Sequence, residues 1–577
     1  MTYRSLVVLV LLALPARADD PIDSLMDRDP ELPAPRAVTV FPKGLPAAWA
    51  RALDRPEVDY RCQAALAIAD ARAKGMAGLG VTVPALVREL DRADQHPTAR
   101  LAAAKALVAL DAKPAAPSFV RLMAADDIDL REVIEPALAG WGYAPAGAVW
   151  LGRLEAPPYR RPAVLAARGL AALKDPAAVP RLREVMMSPD APAAARLEVA
   201  KAVGVIRTAG GEADADRLAA DPTPKGMPGR LAAAWVLRHH TGAEAVRRLQ
   251  ALARDPEPAV AAVALARLTE LDPSHVLPLL PAVLGSPDAV VRGVGVEVLR
   301  QRPDAARVAM LGDRLSDPHP DVRSAARLVL AELAGKGGFR PAVIRELDRA
   351  LAGADWRGKE QAAVLAGKLG HTPAAGRLVE RLADPRPEVG IAAAWALREL
   401  RVPGTYPAVL RHVEASAGPG AVATVEADRR LTHLVQLVGA VRYAPADPFL
   451  RGLVPPAANA RAGFRTRAAA CWALGYLHEG RPDAELVRLF TGRLAAVVPQ
   501  DVEDPGVRRM SAVALGRMRA ADAVGALRKY YIARRPSGDL PGNACGWALG
   551  QITGEPYPAP GVEQLPDANW FLVPLDR

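Results

Sequence analysis

Cysteine is almost absent from this sequence, with three residues in 577, and histidine is sparse, with nine. There is no Cys-x-x-Cys-His haem attachment and no His-Glu-x-x-His zinc helix. His239 and His240 are adjacent and so point in different directions on a helix, while His319 between Asp317 and Asp321 is a loop cluster with no second half. No metal site and no cofactor is expected. No spacing sets out a Ser/His/Asp triad or a phosphate-binding loop, so no catalytic residue is assigned. Aromatic residues make up 5% against a hydrophobic content of 51%, which leaves an interior of Ala, Leu and Val in which helices approach closely. Long apolar runs are missing as well. The one at Leu6 to Leu14 is too short to span a bilayer as a helix, so the mature chain has no expected transmembrane segment.

Pro (54) and Gly (46) are plentiful, and they punctuate a repeated unit. Its clearest copy runs from Asp384 to Leu400: Asp384 is placed to cap a helix, Pro385 suits a first turn, and Val389, Ala393, Ala394, Leu397 and Leu400 share one face. Pro403-Gly404 breaks the chain, and Tyr406 to Val413 reads as a second helix packing back on the first. An Arg seven residues before a core apolar residue marks the other copies, at Arg61/Ile68, Arg100/Leu107, Arg131/Leu138, Arg196/Val203, Arg230/Leu237, Arg292/Leu299 and Arg323/Leu330. It returns at Arg430/Leu437, Arg467/Leu474 and Arg508/Leu515, with degenerate copies at Ala163, Ala261, Gly390 and Gly542 and another near Arg357. One such hairpin cannot bury its own apolar face and needs copies on both sides. The expected fold is all-α, an α-solenoid of about fifteen helix pairs. Units two apart stand roughly 20 Å apart in such a stack, too far for Cys471 and Cys545 to bridge, so three unpaired, mostly buried thiols are expected.

The order Asp, Pro, Val-Arg, Ala-Ala, Leu resembles the HEAT repeat, in particular its short bacterial form. Asp317 to Leu330 and Val507 to Gly516 carry the resemblance best, and it covers roughly 46–555. It implies pairing of the anchor Arg with the Asp six residues earlier, as in Asp94/Arg100 and Asp317/Arg323. It implies little about activity, because such arrays serve as scaffolds, adaptors and occasional enzymes.

The chain opens like an export signal. Arg4 precedes the apolar run, and Ala16-Arg17-Ala18 forms a small-x-small cleavage site, so cleavage after Ala18 is expected, with the mature protein in the periplasm or outside the cell. Removing Arg4 and Arg17 takes the net charge from +10 to +8, mild for this length, and no nucleic-acid partner is inferred. The organisation is then a signal peptide at 1–18, a Pro-rich leader at 19–45 with a short strand over Arg36 to Phe41, the solenoid at 46–555, and a terminal segment at 556–577. In that last segment Trp570 to Val573 is expected to cover the final helix pair.

Five residues past the anchor stand Trp235, Trp395, Trp472 and Trp547, where other units have Lys105, Lys201 or Glu297. At 100° per residue this position points about 160° away from the core positions. Arg238 and Arg398 share that side. Two readings stand: an aromatic stripe that binds a partner, or side chains laid in the grooves between helices and half-buried against neighbouring repeats. The expected function is a non-catalytic scaffold for a protein partner. One alternative is a repeat-built enzyme resembling deoxyhypusine hydroxylase or the phycobilin lyases. The chain has only one His-Glu pair, His478-Glu479, for the several that the hydroxylase's two irons need. A polyanion-binding solenoid is the second alternative.

Overall fold

The computed structural model describes residues 22–32, 37–92, 96–124, 127–155, 161–498, 501–531, 540–557, 563–566 and 571–572. The expected signal peptide with Ala16 and Ala18, the Asp94 partner of Arg100, and Trp570 lie outside them. No described helix is long and apolar enough to cross a membrane.

The chain is an all-α solenoid of helical hairpins. It divides into two compact units, one built on Thr39–Val294 with the terminal stretch from Gln564, the other on Gly295–Glu563 with the leader up to Val38. In the second unit the first helices of successive hairpins are Trp356–Leu369, Pro387–Leu400, Val425–Ala440, Phe464–Leu477, Pro505–Met518 and Leu540–Thr553, and each packs on the next. The first unit repeats the pattern, for example from Val58–Ala73 to Pro97–Ala109 and from Ala193–Ile206 to Met227–Val236. Small residues set the spacing: a Cβ on Gly439 would lie 2.5 Å from Ala473 Cβ, and one on Gly516 would lie 2.7 Å from Ala548 Cα. Among the described residues, strands are confined to Ala37–Val40 in the leader, Glu563–Pro566, and an antiparallel pair, Val497–Val498 with Asp501–Val502.

The helix expected from Asp384 begins two residues later. Pro387–Leu400 has Pro387 in its first turn, while Asp384 stands outside, its carboxylate accepting from the Arg386 amide at 3.0 Å and from Lys359 at 3.0 Å. Two prolines offered the same start, and the Asx-type turn selects the second. Val389, Ala393, Ala394 and Leu397 are buried as the spacing requires. The helix ends on Arg401 in the left-handed region (φ 49°), a joint repeated at Gly370, Arg442 and Arg519. A single 3-10 turn, Pro403–Thr405, then leads into Tyr406–Ala417.

The anchor arginines reach the preceding loop through its backbone. Arg323 Nη1 donates to the carbonyls of Asp317 (2.9 Å) and Pro318 (3.1 Å), and Arg292 does the same to Ser286 (2.9 Å) and Pro287 (3.0 Å). The Asp six residues before Arg323 is thus met through its main chain, because the carbonyls left over at the preceding loop are the nearer acceptors. A carboxylate from further along the chain completes several anchors: Glu89 for Arg61 (2.7 Å), Asp255 for Arg230 (2.6 Å) and Glu503 for Arg467 (2.6 Å). Cys62, Cys471 and Cys545 are buried thiols outside any disulfide. Burial pushes the Cys471 thiol up to about 11.

The terminal segment differs from expectation. Its described residue Phe571 lies on the first hairpin of the first unit, where its carbonyl accepts from Trp49 Nε1 at 2.7 Å and its ring meets Tyr60 at 5.7 Å. A solenoid has an unpartnered face at its first repeat as well as its last, and here Phe571 goes to the first. At the last described hairpin Tyr531 lies over Gly546 and meets Tyr557 edge-on at 5.2 Å.

Candidate peptide-binding groove

The position five residues past the anchor is not free. The Trp395 ring leans back onto the preceding hairpin, where a Cβ on Gly367 would come within 2.5 Å of it. Trp472 lies 3.2 Å from the corresponding point on Gly439, and Trp547 2.8 Å from that on Gly516. Trp395 and Trp472 are 2% and 1% exposed, whereas Trp235 and Trp547 are half-buried. Cations flank three of the rings, Lys201 at 5.1 Å from Trp235, Lys368 at 5.6 Å from Trp395 and Arg517 at 5.3 Å from Trp472. A helical wheel assigns one buried side to a helix, but a helix in a stacked layer also has neighbours before and after it. The lateral gap is where these rings lie.

Packing on glycine buries one side of Trp395 and Trp472, and the leader buries the other. Residues 22–30 run across the second unit from the Pro387–Leu400 helix to the Pro505–Met518 helix, making a single 3-10 turn at Leu25–Asp27. At the start, Arg398 donates to the Asp23 carbonyl (2.7 Å) and carboxylate (2.8 Å), and Trp395 Nε1 to the same carboxylate (3.4 Å). In the middle, Gln436 accepts from the Leu25 amide (3.0 Å) and donates to the Ser24 hydroxyl (2.6 Å). At the far end Trp472 Nε1 donates to the Asp29 carbonyl (2.8 Å), while Arg517 (2.8 Å) and the Tyr476 hydroxyl donate to its carboxylate. Met26 and Pro30 are buried between these anchors.

The electrostatics follow from burial opposed by pairing. Burial works against the Asp23 carboxylate, but the hydrogen bonds from Arg398 and Trp395 prevail and hold it below the usual carboxylate range. Arg398 is fully buried and also touches Glu399 (2.8 Å), Gln436 (2.9 Å) and His433 Nδ1 (3.3 Å). Burial, reinforced by Arg398, drives His433 down to about 3. Arg517 stacks over the Tyr476 ring at 3.8 Å; burial pulls it below the ordinary guanidinium value and Asp29 opposes the pull. Burial, followed by the bond to Asp29, pushes the Tyr476 phenol up to about 12.

Of the residues singled out by sequence, Trp395, Trp472 and Arg398 come together in this groove. Trp547 lies on the next helix of the same unit, while Trp235 and Arg238 lie in the other unit, where Arg238 pairs with Glu270. Sequence reasoning missed Gln436, Tyr476 and Arg517, and gave the Pro-rich leader no part in the site. Two signals were present: glycines inside the Trp356–Leu369 and Val425–Ala440 helices, with no turn to make, and Asp23 and Asp29 spaced across the leader. The His478-Glu479 pair is divided, with His478 against Asp447 and Glu479 against Arg442. Among the described residues no group of three or more His, Cys, Asp or Glu is placed to hold a metal ion.

A family profile described as HEAT repeats matches residues 245–331. Over that stretch this chain is similar to HEAT repeats. Solved structures extend the likeness along the solenoid. Kap95p in a study with RanGDP is 14% identical at a TM-score of 0.52, over 88% of this chain and 72% of that one. Kap121p bound to Pho4p is 11% identical at a TM-score of 0.50, over 88% of this chain and 57% of that one. At these identities the likeness shows the fold. A search of curated protein sequences finds no match.

Proposed function

We propose that this protein is a non-catalytic HEAT-repeat scaffold that binds a protein partner, exported from the cytoplasm and working in the periplasm or outside the cell. The observation that carries the reading is the groove of the second unit: it holds a stretch of polypeptide through backbone and carboxylate contacts from buried side chains. That is the chemistry of peptide recognition, with main-chain bonds for affinity and side-chain pockets for specificity. The solved relatives include a karyopherin bound to another protein, Pho4p, which fits the same use of the fold. The export half of the proposal rests on Arg4, the apolar run and the Ala16-Arg17-Ala18 site.

A crosslinking pull-down from the cell envelope tests the scaffold. Wild type is compared with Trp235→Ala/Trp547→Ala, which alters half-buried members of the stripe, and with Arg398→Gln, which alters the groove, after both variants are shown to fold. A partner captured by wild type and lost in either variant supports the scaffold and names the surface. Identical captures from all three proteins place the partner on another surface of the solenoid, and no capture by wild type refutes the scaffold. Amino-terminal sequencing of the purified protein tests export: a new terminus at Asp19 is expected, and an intact Met1 overturns it.

A further inference from the structure

The groove is occupied by the chain's own leader, and the manner of that occupation indicates what else would fit. Its contacts fall into two kinds. The bonds to the Asp23 carbonyl, the Leu25 amide and the Asp29 carbonyl read only the main chain. The bonds to the Asp23 and Asp29 carboxylates read two acidic side chains six residues apart. Each carboxylate meets a buried guanidinium, Arg398 at 0% exposure and Arg517 at 8%.

A buried cation stripped of its carboxylate is costly. If the leader left, Arg398 would keep Glu399, and Arg517 would keep the Tyr476 ring and the Trp472 carbonyl (3.5 Å), but each would lose its leader carboxylate. An emptied groove is therefore poorer in anions than a filled one, and the leader departs most readily in exchange for another acidic segment. We infer that the groove is a recognition site for a peptide that makes one 3-10 turn between two carboxylates six residues apart, and that leader residues 22–30 occupy it in cis, so that a partner binds by displacing them. This rests on the scaffold reading above and gives it a site, a ligand chemistry and a built-in competitor. A tethered competitor acts at an effective concentration on the order of millimolar, so a free peptide has to outcompete it.

A fluorescent peptide with the sequence of residues 22–31, Ile-Asp-Ser-Leu-Met-Asp-Arg-Asp-Pro-Glu, is titrated onto the full chain by anisotropy. The proteins are wild type and Asp23→Ala/Asp29→Ala, which weakens the leader and leaves every groove residue in place. The variant is expected to bind the peptide at least about tenfold more tightly than wild type, because its competitor is weakened. The same peptide with both positions changed to Asn is expected to bind the variant at least about tenfold more weakly, since it cannot supply the charge-assisted bonds. This comparison changes only the peptide, on one and the same protein, so a difference between the two peptides cannot come from misfolding. Equal peptide affinity for the two proteins overturns cis occupation, and equal binding of the Asp and Asn peptides overturns acidic recognition. Concentration-dependent dimerisation of wild type that is lost in the variant overturns the cis arrangement in favour of leader exchange between copies. No envelope partner is needed here. A groove that binds peptide while the pull-down fails sinks the scaffold alone, and a surface-dependent pull-down without peptide binding sinks this inference alone.

Discussion

At the scale of single residues the second unit places ionisable groups where burial and pairing compete, and His433 is the clearest case. Its pKa of about 3 lies below the ordinary 6.5 because the ring is buried beside Arg398, with the Asp23 carboxylate opposing. A base whose folded pKa is depressed contributes stability that is complete above its unfolded value. That stability is lost as pH falls from 6.5 toward 3, at about 1.4 kcal/mol per pH unit for one proton. Asp23 does not confuse the window, because its own contribution is lost only below the ordinary carboxylate pKa of 3.8. Urea unfolding at pH 7, 5.5 and 4.5 should show His433→Gln with a shallower loss of stability than wild type, by about one proton's worth. Equal slopes would show that His433 is protonated in the folded chain. His412, pushed by burial to about 4, adds to the same window in both proteins and cancels in the comparison. His433 itself was not legible in the sequence. Its burial depends on Asp23 and Arg398, which meet although they are far apart in the chain, and no periodicity reports such a contact.

At the scale of the element, the helix faces and the anchor spacing were legible, because a 3.6-residue period and a repeated Arg are local signals. The contacts of each anchor were not, since its acceptors lie in the preceding loop and, for several, 25–36 residues further along the chain. Arg230 donates to the carbonyls of Asp221 (2.9 Å) and Thr223 (2.7 Å) and to Asp255 (2.6 Å), with both charged side chains nearly fully buried. Arg238, eight residues on, pairs with Glu270, which is 43% exposed. The two sites predict different costs. Arg230→Ala leaves a buried carboxylate without its cation and should lower stability by about 3–5 kcal/mol, whereas Arg238→Ala removes a partly solvated pair worth at most about 1 kcal/mol. Chemical denaturation of both variants checks this, and comparable losses would mean that the anchor is no more structural than a surface ion pair. The same local logic explains the tryptophans. A wheel drawn for one helix shows which side leaves its own hairpin, and it cannot show the glycine of the neighbouring hairpin that receives the ring.

At the scale of the whole molecule a stack of hairpins has stability that is approximately a sum of unit and interface contributions, so its terminal hairpins need covers. The repeats and the all-α solenoid followed from counting, but which segment covers which end did not, because a cover obeys no period. Phe571 lies on Leu45–Leu53 and Val58–Ala73, accepting the Trp49 indole bond at 2.7 Å and meeting the Tyr60 ring at an interplanar angle of 62°. Trp49 is fully buried, so its indole N–H has lost water and depends on that carbonyl. Phe571→Ala keeps the carbonyl but removes the ring that holds it there, at an expected local cost of about 1–2 kcal/mol, within the range for a single truncated contact. Because coupling in a stack is between nearest neighbours, the loss should stay local: amide hydrogen exchange should accelerate about five- to thirtyfold in Leu45–Leu53 and Val58–Ala73 and remain unchanged in Pro387–Leu400. An unchanged first hairpin would show that Phe571 is not its cover. Acceleration spread evenly to Pro387–Leu400 would show that the chain unfolds as one cooperative body, and the description of stacked, separately stabilised hairpins would then have to be abandoned.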